Sequence, residues 1–325
     1  MTGPTDAELM EMLKGVSRSF VLTIRALPGD LRRPVGIAYL LARASDTIAD
    51  TASAPVAARI ECLRAFAAHP GAEIRGLRDI KPDNVAEQHL LENLGPVSRG
   101  LDQLGSGDRE EIVSLLQKIT RGQELDLVRF SDPGKISALE TAAELDEYTY
   151  LVAGCVGEFW TRICSGKLPR YGYIDSGELL RLGRAFGQGL QLVNILRDFP
   201  ADVENGRCFL PMDELREAGV SDAGELRRDL RPAQPVFDAW RQKALLFLDE
   251  GRQYIEGIRP RRIRFACLLP WALGVRTLKL IGEKSPLERG ERVKVDRKEV
   301  RRIMQRALWA ALSNGAISSW ARTIG

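Results

Sequence analysis

The sequence predicts an all-α protein, and two observations support this. Hydrophobic residues recur at spacings of three and four along nearly the whole chain, which is the period of an amphipathic helix. Alternating runs of Val, Ile and Thr joined by hairpin turns are almost absent. The 325 residues can bury a substantial core, and no break between helical segments is long enough for an interdomain linker. We therefore expect one helical domain over residues 1–325.

The first long helical pattern, 31–50, is too apolar for a surface helix, so we expect it to be largely buried. Similar patterns follow in order along the chain: 56–67, 109–128, 140–164, 177–198, 235–257, 264–281 and 298–313. Segments that contain Pro or Gly break the helical pattern at 131–135, 165–173, 200–207, 231–235 and 282–290.

Composition argues against several classes of protein. The 47 basic and 44 acidic residues leave a net charge of +3, which gives no reason to expect a nucleic-acid partner. The two histidines, His69 and His89, adjoin no nucleophile or second ligand, and the five cysteines lack CxxC spacing. These patterns disfavour a histidine-dependent triad, a His-rich metal site, a zinc cluster and a disulfide framework.

Neither a membrane span nor a signal peptide is expected. The longest nearly uncharged apolar stretch, 265–275, is about half of the roughly 20 residues that a bilayer crossing needs. The chain opens with polar and acidic residues rather than with a basic and then apolar segment. We expect a cytoplasmic protein with at most peripheral contact with the inner face of the membrane.

Two pairs of aspartates end apolar helical segments. Asp46 and Asp50 lie in SDTIAD, and Asp198 and Asp202 lie in RDFPAD, so on a helix both carboxylates of a pair point the same way. Random placement of the 44 acidic residues would itself give about six such pairs. The informative feature is therefore the context, because each pair follows an apolar segment and has an arginine within one turn.

Two like charges four residues apart repel each other, and more strongly as they leave water. A divalent cation would relieve the repulsion, and Mg²⁺ is typically held by one or two carboxylates together with substrate phosphates and water. The planar guanidinium groups of Arg43 and Arg197 would then donate paired hydrogen bonds to the phosphate oxygens. Two solvated acidic helix ends are the alternative. Mg²⁺ and diphosphate beside an apolar surface indicate an isoprenoid diphosphate substrate.

Four ordered blocks of sequence resemble the squalene/phytoene synthase family, whose members condense two prenyl diphosphates head to head. The blocks are VSRSF (16–20), AYLLARASDTIAD (38–50), YTYLVAGCVG (148–157) and QLVNILRDFPADVENGRCFLP (191–211). The last is the most specific, because its NILRDxxxD core and GRxxLP tail are joined at family spacing. The resemblance implies an isoprenoid synthase-type helical bundle around a central cavity. It also implies that Asp46, Asp50, Asp198 and Asp202 hold Mg²⁺ at the mouth of that cavity.

The resemblance assigns roles to further residues. In the family, diphosphate loss from one farnesyl unit gives an allylic cation, which the second unit attacks before proton loss closes a cyclopropane. The implied catalytic residues are Tyr148, Tyr39 and Arg43. The implied substrate contacts are Arg18, Ser19, Phe20, Val152, Gln191, Asn194, Arg197 and Arg207. A tyrosine or the departed diphosphate would accept the proton. The alternatives are surface ion pairs for the arginines, core positions for the tyrosines, and close helix packing for the small residues around Val152.

A second resemblance implies a further reaction step, in which a nicotinamide nucleotide acts as the reductant. The segment VKVDRKEVRRIM (293–304) is similar to a basic segment that reductive members use near the nicotinamide nucleotide phosphates, although Asp296 and Glu299 depart from it. The implied cofactor contacts are Arg18, Arg43, Arg197, Lys294 and Arg297. The opening 14–50 is more similar to squalene synthases, whereas ENGRCFLP (204–211) is closer to the phytoene branch.

We therefore favour Mg²⁺-dependent condensation of two farnesyl diphosphates through presqualene diphosphate to squalene, with reduction by NADPH. The alternatives are a phytoene or dehydrosqualene synthase without reduction, an enzyme that stops at presqualene diphosphate, a class I terpene cyclase and a non-catalytic scaffold relative. The sequence leaves prenyl chain length and oligomeric state open.

Two positions depart from the family pattern. Ala49 stands where squalene synthases often carry an acidic residue. Pro200, between Asp198 and Asp202, lacks an amide hydrogen and disfavours α geometry at the preceding residue. We therefore expect the second aspartate pair at a helix end rather than on consecutive turns.

Overall fold

A computed structural model describes residues 3–17, 20–70, 74–132, 134–289 and 293–324. The predicted all-α class is confirmed. The helices are α1 Asp6–Val16, α2 Phe20–Ala26, α3 Gly29–Asp50, α4 Val56–Ala68, α5 Val85–Glu92, α6 Leu94–Asp102, α7 Ser106–Arg129, α8 Ala142–Thr149, α9 Cys155–Lys167, α10 Ser176–Glu204, α11 Met212–Glu217, α12 Gln234–Gly257, α13 Arg261–Lys284, α14 Pro286–Arg289, α15 Arg297–Ala310 and α16 Asn314–Ile324. Two short strands, β1 Ser137–Leu139 and β2 Arg207–Pro211, pair in parallel.

The chain divides into two compact units. The first unit comprises Met1–Ser131 with Arg162–Pro169, and the second comprises Asp132–Thr161 with Arg170–Gly325. The single domain expected from the sequence stays a prediction.

The first unit is built around α3, which packs against α1, α4, α6 and α7. Apolar side chains on almost every turn of α3 are buried, as the sequence predicts. The helix begins beside Pro28, whose fixed φ suits the residue before a first turn. It ends at Asp50, so the first aspartate pair occupies its last two turns.

The second unit is built around α10, which packs mainly against α12 and also against α13 and β2. Its core contains Phe199 of α10 and Phe237 of α12, whose ring centroids lie 5.8 Å apart. One predicted helix, 140–164, is divided by a π-helical turn, Tyr150–Gly154, between α8 and α9. π-helical turns are rare overall, but those that do occur often lie at functional sites.

The second pair does lie near a helix end, but the prediction that it does not occupy consecutive turns is wrong, because α10 continues through Pro200 to Glu204. Pro200 removes one backbone hydrogen bond, yet Phe199 and Pro200 are both buried. Their burial stabilises the helical course despite the missing amide hydrogen. Asp198 and Asp202 therefore do lie on consecutive turns.

One described helix, α13, is long and apolar enough to cross a membrane by length and composition alone. Its mean hydropathy is 1.3 over the most apolar window, and 56% of that window is buried inside the protein. The helix packs against α10, α12 and α15, and a core helix of a soluble protein meets the same criteria. The expectation that the chain has no membrane span stays a prediction.

Candidate functional site

Asp46 is the half-buried member of the first aspartate pair, and a side chain from α7 positions it. The buried Gln123 donates from Nε2 to Asp46 Oδ1 at 2.7 Å and to Ser45 Oγ at 3.2 Å. Sequence reasoning missed Gln123. Its signal was a polar residue in the apolar stripe of α7, which also contains Leu116 and Ile119.

Arg43 lies between two carboxylates of the first unit. Its Nη2 donates to Glu87 Oε1 of α5, and its Nη1 lies 4.0 Å from Asp46 Oδ2. Among the described residues, the buried Nε of Arg43 has no hydrogen-bond partner. Glu87 was not predicted, and it holds the guanidinium beside the acidic pair. The role of Arg43 in binding phosphate stays a prediction.

The environment of Asp46 disfavours its charged form. Burial raises the pKa of Asp46 to about 7, and the neighbouring Asp50 carboxylate contributes, while Arg43 and Gln123 oppose the shift. The side chain of Asp46 is 46% exposed, so water screens part of its repulsion with Asp50. The exposed Asp50 lies one turn further along α3. The pair is thus built to gain from a bound cation.

The raised pKa of Asp46 predicts a pH-dependent penalty on stability. Since the folded state holds the proton more tightly than the unfolded chain, stability falls as pH rises from about 4 to about 7. We expect Asp46→Asn, without Mg²⁺, to melt on the order of 2 °C higher than wild type at pH 8. At pH 4 the two proteins should melt alike. Thermal melts across this range test the sign, and a lower melting temperature for the variant at pH 8 would contradict it.

The second pair lies in the last two turns of α10, and its first carboxylate is engaged by its sequence neighbour. Arg197 donates from Nε to Asp198 Oδ1 at 3.0 Å and from Nη2 to Oδ2 at 2.6 Å. Both side chains are about three-quarters buried. A carboxylate oxygen can accept more than one bond, so this ion pair does not by itself prevent Asp198 from binding a cation.

A polar face continues along α10 from the second pair. Gln191 and Asn194 lie seven and four residues before Asp198, and Asn194 Nδ2 donates to Gln191 Oε1 at 3.4 Å. Because the helix is continuous, these side chains share a face with Asp198 and Asp202. The structure therefore brings four of the predicted site residues of the second unit onto one surface.

Tyr148 of α8 lies against β2. Its ring stacks on Phe209 with the centroids 4.9 Å apart and the planes 25° from parallel. Arg207 is half-buried in the same strand. From α10, the buried Gln188 donates to Asp146 O at 3.1 Å and to Thr149 Oγ1 at 3.2 Å. These bonds fix α8 just before the π-helical turn.

Comparison with known proteins identifies the group to which this arrangement belongs. The family model of squalene/phytoene synthases matches residues 13–299. The chain belongs to the squalene/phytoene synthase family. This is a family of prenyltransferase-type enzymes, as the sequence predicts.

Two curated relatives carry the name squalene synthase. One from Botryococcus braunii is 30% identical over 90% of this chain and 61% of its own length. Another from Ganoderma lucidum is 28% identical over 85% of this chain and 61% of its own length. The chain therefore spans about three-fifths of the length of these relatives. A solved structure of TcSQS with the ligand E5700 has a TM-score of 0.80 and 24% identity, covering 97% of this chain and 90% of the other, which confirms the isoprenoid synthase-type fold.

The structure describes only some of the remaining residues to which the family resemblance assigns a role. Tyr39 is half-buried on α3, two turns before Asp46. Arg18 and Ser19 lie outside the described residues, as does the side chain of Phe20. Their roles stay predictions.

The small residues of the third family block serve close helix packing. A Cβ on Gly157 would lie 1.9 Å from the Gly183 carbonyl oxygen, and one on Gly187 would lie 2.2 Å from the Ala153 carbonyl oxygen. The backbones of α9 and the π-helical turn thus touch α10. This supports the packing interpretation of these glycines rather than room for an isoprenoid tail, and Val152 is half-buried in the same turn.

The basic segment predicted to hold nucleotide phosphates begins just before α15. Lys294 and Arg297 are exposed. Asp296 caps α15 by accepting from the backbone nitrogens of Lys298 and Glu299, each at 2.8 Å. One departure from the family pattern therefore has a local structural role, because a helix N-cap favours an aspartate.

The donor set of both pairs suits Mg²⁺, which prefers carboxylate oxygens and retains water. Over the described part of the chain, no group of three or more His, Cys, Asp or Glu side chains is arranged to hold a metal ion. Mg²⁺ is commonly bound by one or two carboxylates with substrate phosphates completing its shell. Asp46 with Asp50, and Asp198 with Asp202, fit that mode. The prediction that all four share one cavity mouth joins residues of both units and stays a prediction.

Proposed function

We propose that this chain catalyses the Mg²⁺-dependent head-to-head condensation of two farnesyl diphosphates through presqualene diphosphate to squalene, with NADPH as the reductant. One observation carries the proposal. Both acidic pairs are present on consecutive turns, at the ends of α3 and α10, and each has an arginine within 4 Å of its first carboxylate.

Several groups of the two pairs and their neighbours would bind and stabilise the departing diphosphate. Bound Mg²⁺ would neutralise the departing diphosphate. Arg43 and Arg197 would donate to the phosphate oxygens, which requires each to share or release its present carboxylate partner. Gln191 and Asn194 lie on the same face of α10 and would donate to the same group. Donors gathered on the last turns of these helices would favour electrostatic stabilisation of the leaving anion.

Tyr148 would line the cationic centre. Its ring is stacked on Phe209, and an aromatic face stabilises a nearby cation. A neutral phenol accepts a proton poorly, because its oxygen would have to become positively charged. Proton transfer to the departed diphosphate, with the tyrosine orienting it, therefore agrees with the residues present.

A non-reductive synthase is the second candidate, because Asp296 and Glu299 interrupt the basic segment. Glu299 accepts from Arg276 Nε, so one nearby cation is already neutralised. Arg276 therefore does not extend the proposed nucleotide contacts, which stay the exposed Lys294 and Arg297 together with Arg18, Arg43 and Arg197.

Incubation of the purified protein with farnesyl diphosphate and Mg²⁺ separates these candidates. We expect squalene when NADPH is present and accumulation of presqualene diphosphate when it is absent, both identified by mass spectrometry. Dehydrosqualene under both conditions would identify a non-reductive synthase, and presqualene diphosphate under both would place the reduction elsewhere. A C15 hydrocarbon would identify a terpene cyclase, and an absence of diphosphate release would favour a scaffold role.

A further inference from the structure

An apolar patch on the outer side of α15 is exposed. We define it by Leu308 and Trp309 of α15 and by Leu312 in the turn that follows this helix, which are 54%, 73% and 46% exposed. Three of the other tryptophans of the chain, Trp240, Trp271 and Trp320, are 3% exposed each, and the fourth is half-buried. Trp309 is thus the one exposed tryptophan, and all five lie in the described part of the chain.

The opposite side of α15 holds this patch in a fixed orientation. Ile303, Ala307 and Ala310 are buried, and α15 packs on α13 and α16. These two helices are themselves joined by Trp271 of α13 and Trp320 of α16, whose rings meet edge to face with centroids 5.8 Å apart. The patch is therefore presented by a packed helix rather than by a loose terminus.

The charge of the same segment is strongly positive. Residues 297–324 contain six basic residues and one acidic residue, Glu299. Glu299 pairs with Arg276, so it does not offset the exposed cations. Arg301, Arg302 and Arg306 are exposed beside the patch. The outer face of α15 thus combines aliphatic side chains, an indole and guanidinium groups.

We propose that this outer face of α15 docks on an anionic lipid bilayer. The indole of Trp309 and the two leucines would enter the headgroup boundary, where amphipathic aromatic rings are favoured. The arginines would lie at the lipid phosphates, and their stems can bury alongside the apolar groups. Docking of a second copy by a two-fold axis would instead place two basic faces against each other, which is unfavourable. The proposal does not depend on the reaction that the chain catalyses.

Sedimentation of the full chain with vesicles tests the proposal. We expect binding to phosphatidylcholine vesicles that contain phosphatidylglycerol, and little binding to phosphatidylcholine alone. The double variant Trp309→Ser/Leu312→Ser should bind about tenfold or more weakly, because it removes most of the inserted apolar surface. Arg301→Glu/Arg306→Glu should weaken binding by at least about fivefold for each lost cation. Raising the salt concentration should weaken wild-type binding.

Leu246→Ser supplies the matched control, because Leu246 is 68% exposed on α12 of the same unit. It should bind like wild type. The Trp309 double variant should also keep the wild-type melting temperature and its activity without vesicles, since the replaced side chains are exposed. Brominated lipid should quench wild-type tryptophan fluorescence, and Trp309→Phe should bind while losing that quenching.

Two results would overturn the proposal. One is equal vesicle binding by wild type and the Trp309 double variant. The other is a wild-type dimer in solution that the double variant converts to a monomer, because the patch would then be covered by a second copy of the chain.

Discussion

Asp46→Asn and Asp198→Asn are each expected to lower turnover of farnesyl diphosphate by about a hundredfold or more. Each substitution removes a charge that would hold Mg²⁺ while keeping the side-chain volume. The Gln123 bond should survive in Asp46→Asn, because the asparagine oxygen still accepts from Gln123 Nε2 at the position of Oδ1. The loss should therefore lie in turnover rather than in folding. Mg²⁺-dependent diphosphate release gives the rate.

Matched controls exist on the same two helices. Asp30 is exposed in the first turn of α3, and Glu204 is exposed in the last turn of α10. Asp30→Asn and Glu204→Gln remove a carboxylate charge from the same elements without touching either pair. Wild-type rates in both controls, with low rates in both pair variants, would assign the effect to the pairs. Unchanged rates in Asp46→Asn or Asp198→Asn would contradict the metal assignment.

The combined variant tests whether the pairs serve one chemical step. If they do, Asp46→Asn/Asp198→Asn should lose much less than the product of the two single losses, because residues that act as a unit are strongly non-additive. Multiplied losses would indicate two independent roles. This measurement addresses the shared role without assuming how the two helices are arranged.

The helices were predictable because their determinants are local. The apolar pattern at 31–50 predicts α3 almost to its ends, and the paired aspartates follow from spacing along one helix. The short helices α1, α2, α5 and α6 were not predicted, since each offers few turns for a periodic pattern. The family blocks supplied the candidate roles that local chemistry left open.

The features that the sequence did not predict depend on contacts between segments that are distant in sequence. Pro200 predicts a helix end from local rules, yet the burial of Phe199 and Pro200 stabilises the helix. Gln123 lies 77 residues from the carboxylate that it positions, and Glu87 lies 44 residues from Arg43. No spacing rule connects such pairs, because only the packed helices bring them together.

Gly157→Ala is expected to destabilise the protein by about 3 kcal/mol. The added Cβ would lie 1.9 Å from the Gly183 carbonyl oxygen and 3.2 Å from the Arg184 backbone nitrogen. Both atoms belong to the backbone of α10, so no side-chain rotation can relieve the overlap and the helices must separate. Separation would weaken packing along the helix that carries Asp198 and Asp202. Denaturant unfolding measures the change.

Gly166→Ala provides the comparison on the same helix. Nothing lies within 4 Å of a Cβ built on Gly166, so this variant should show only the helix-propensity gain of up to about 1 kcal/mol. Gly157→Ala receives the same propensity gain, and its net loss therefore isolates the contact with α10. A Gly157→Ala protein as stable as Gly166→Ala would mean that α9 and α10 can move apart without penalty. The close glycine contact would then not be what fixes the helix of the second aspartate pair.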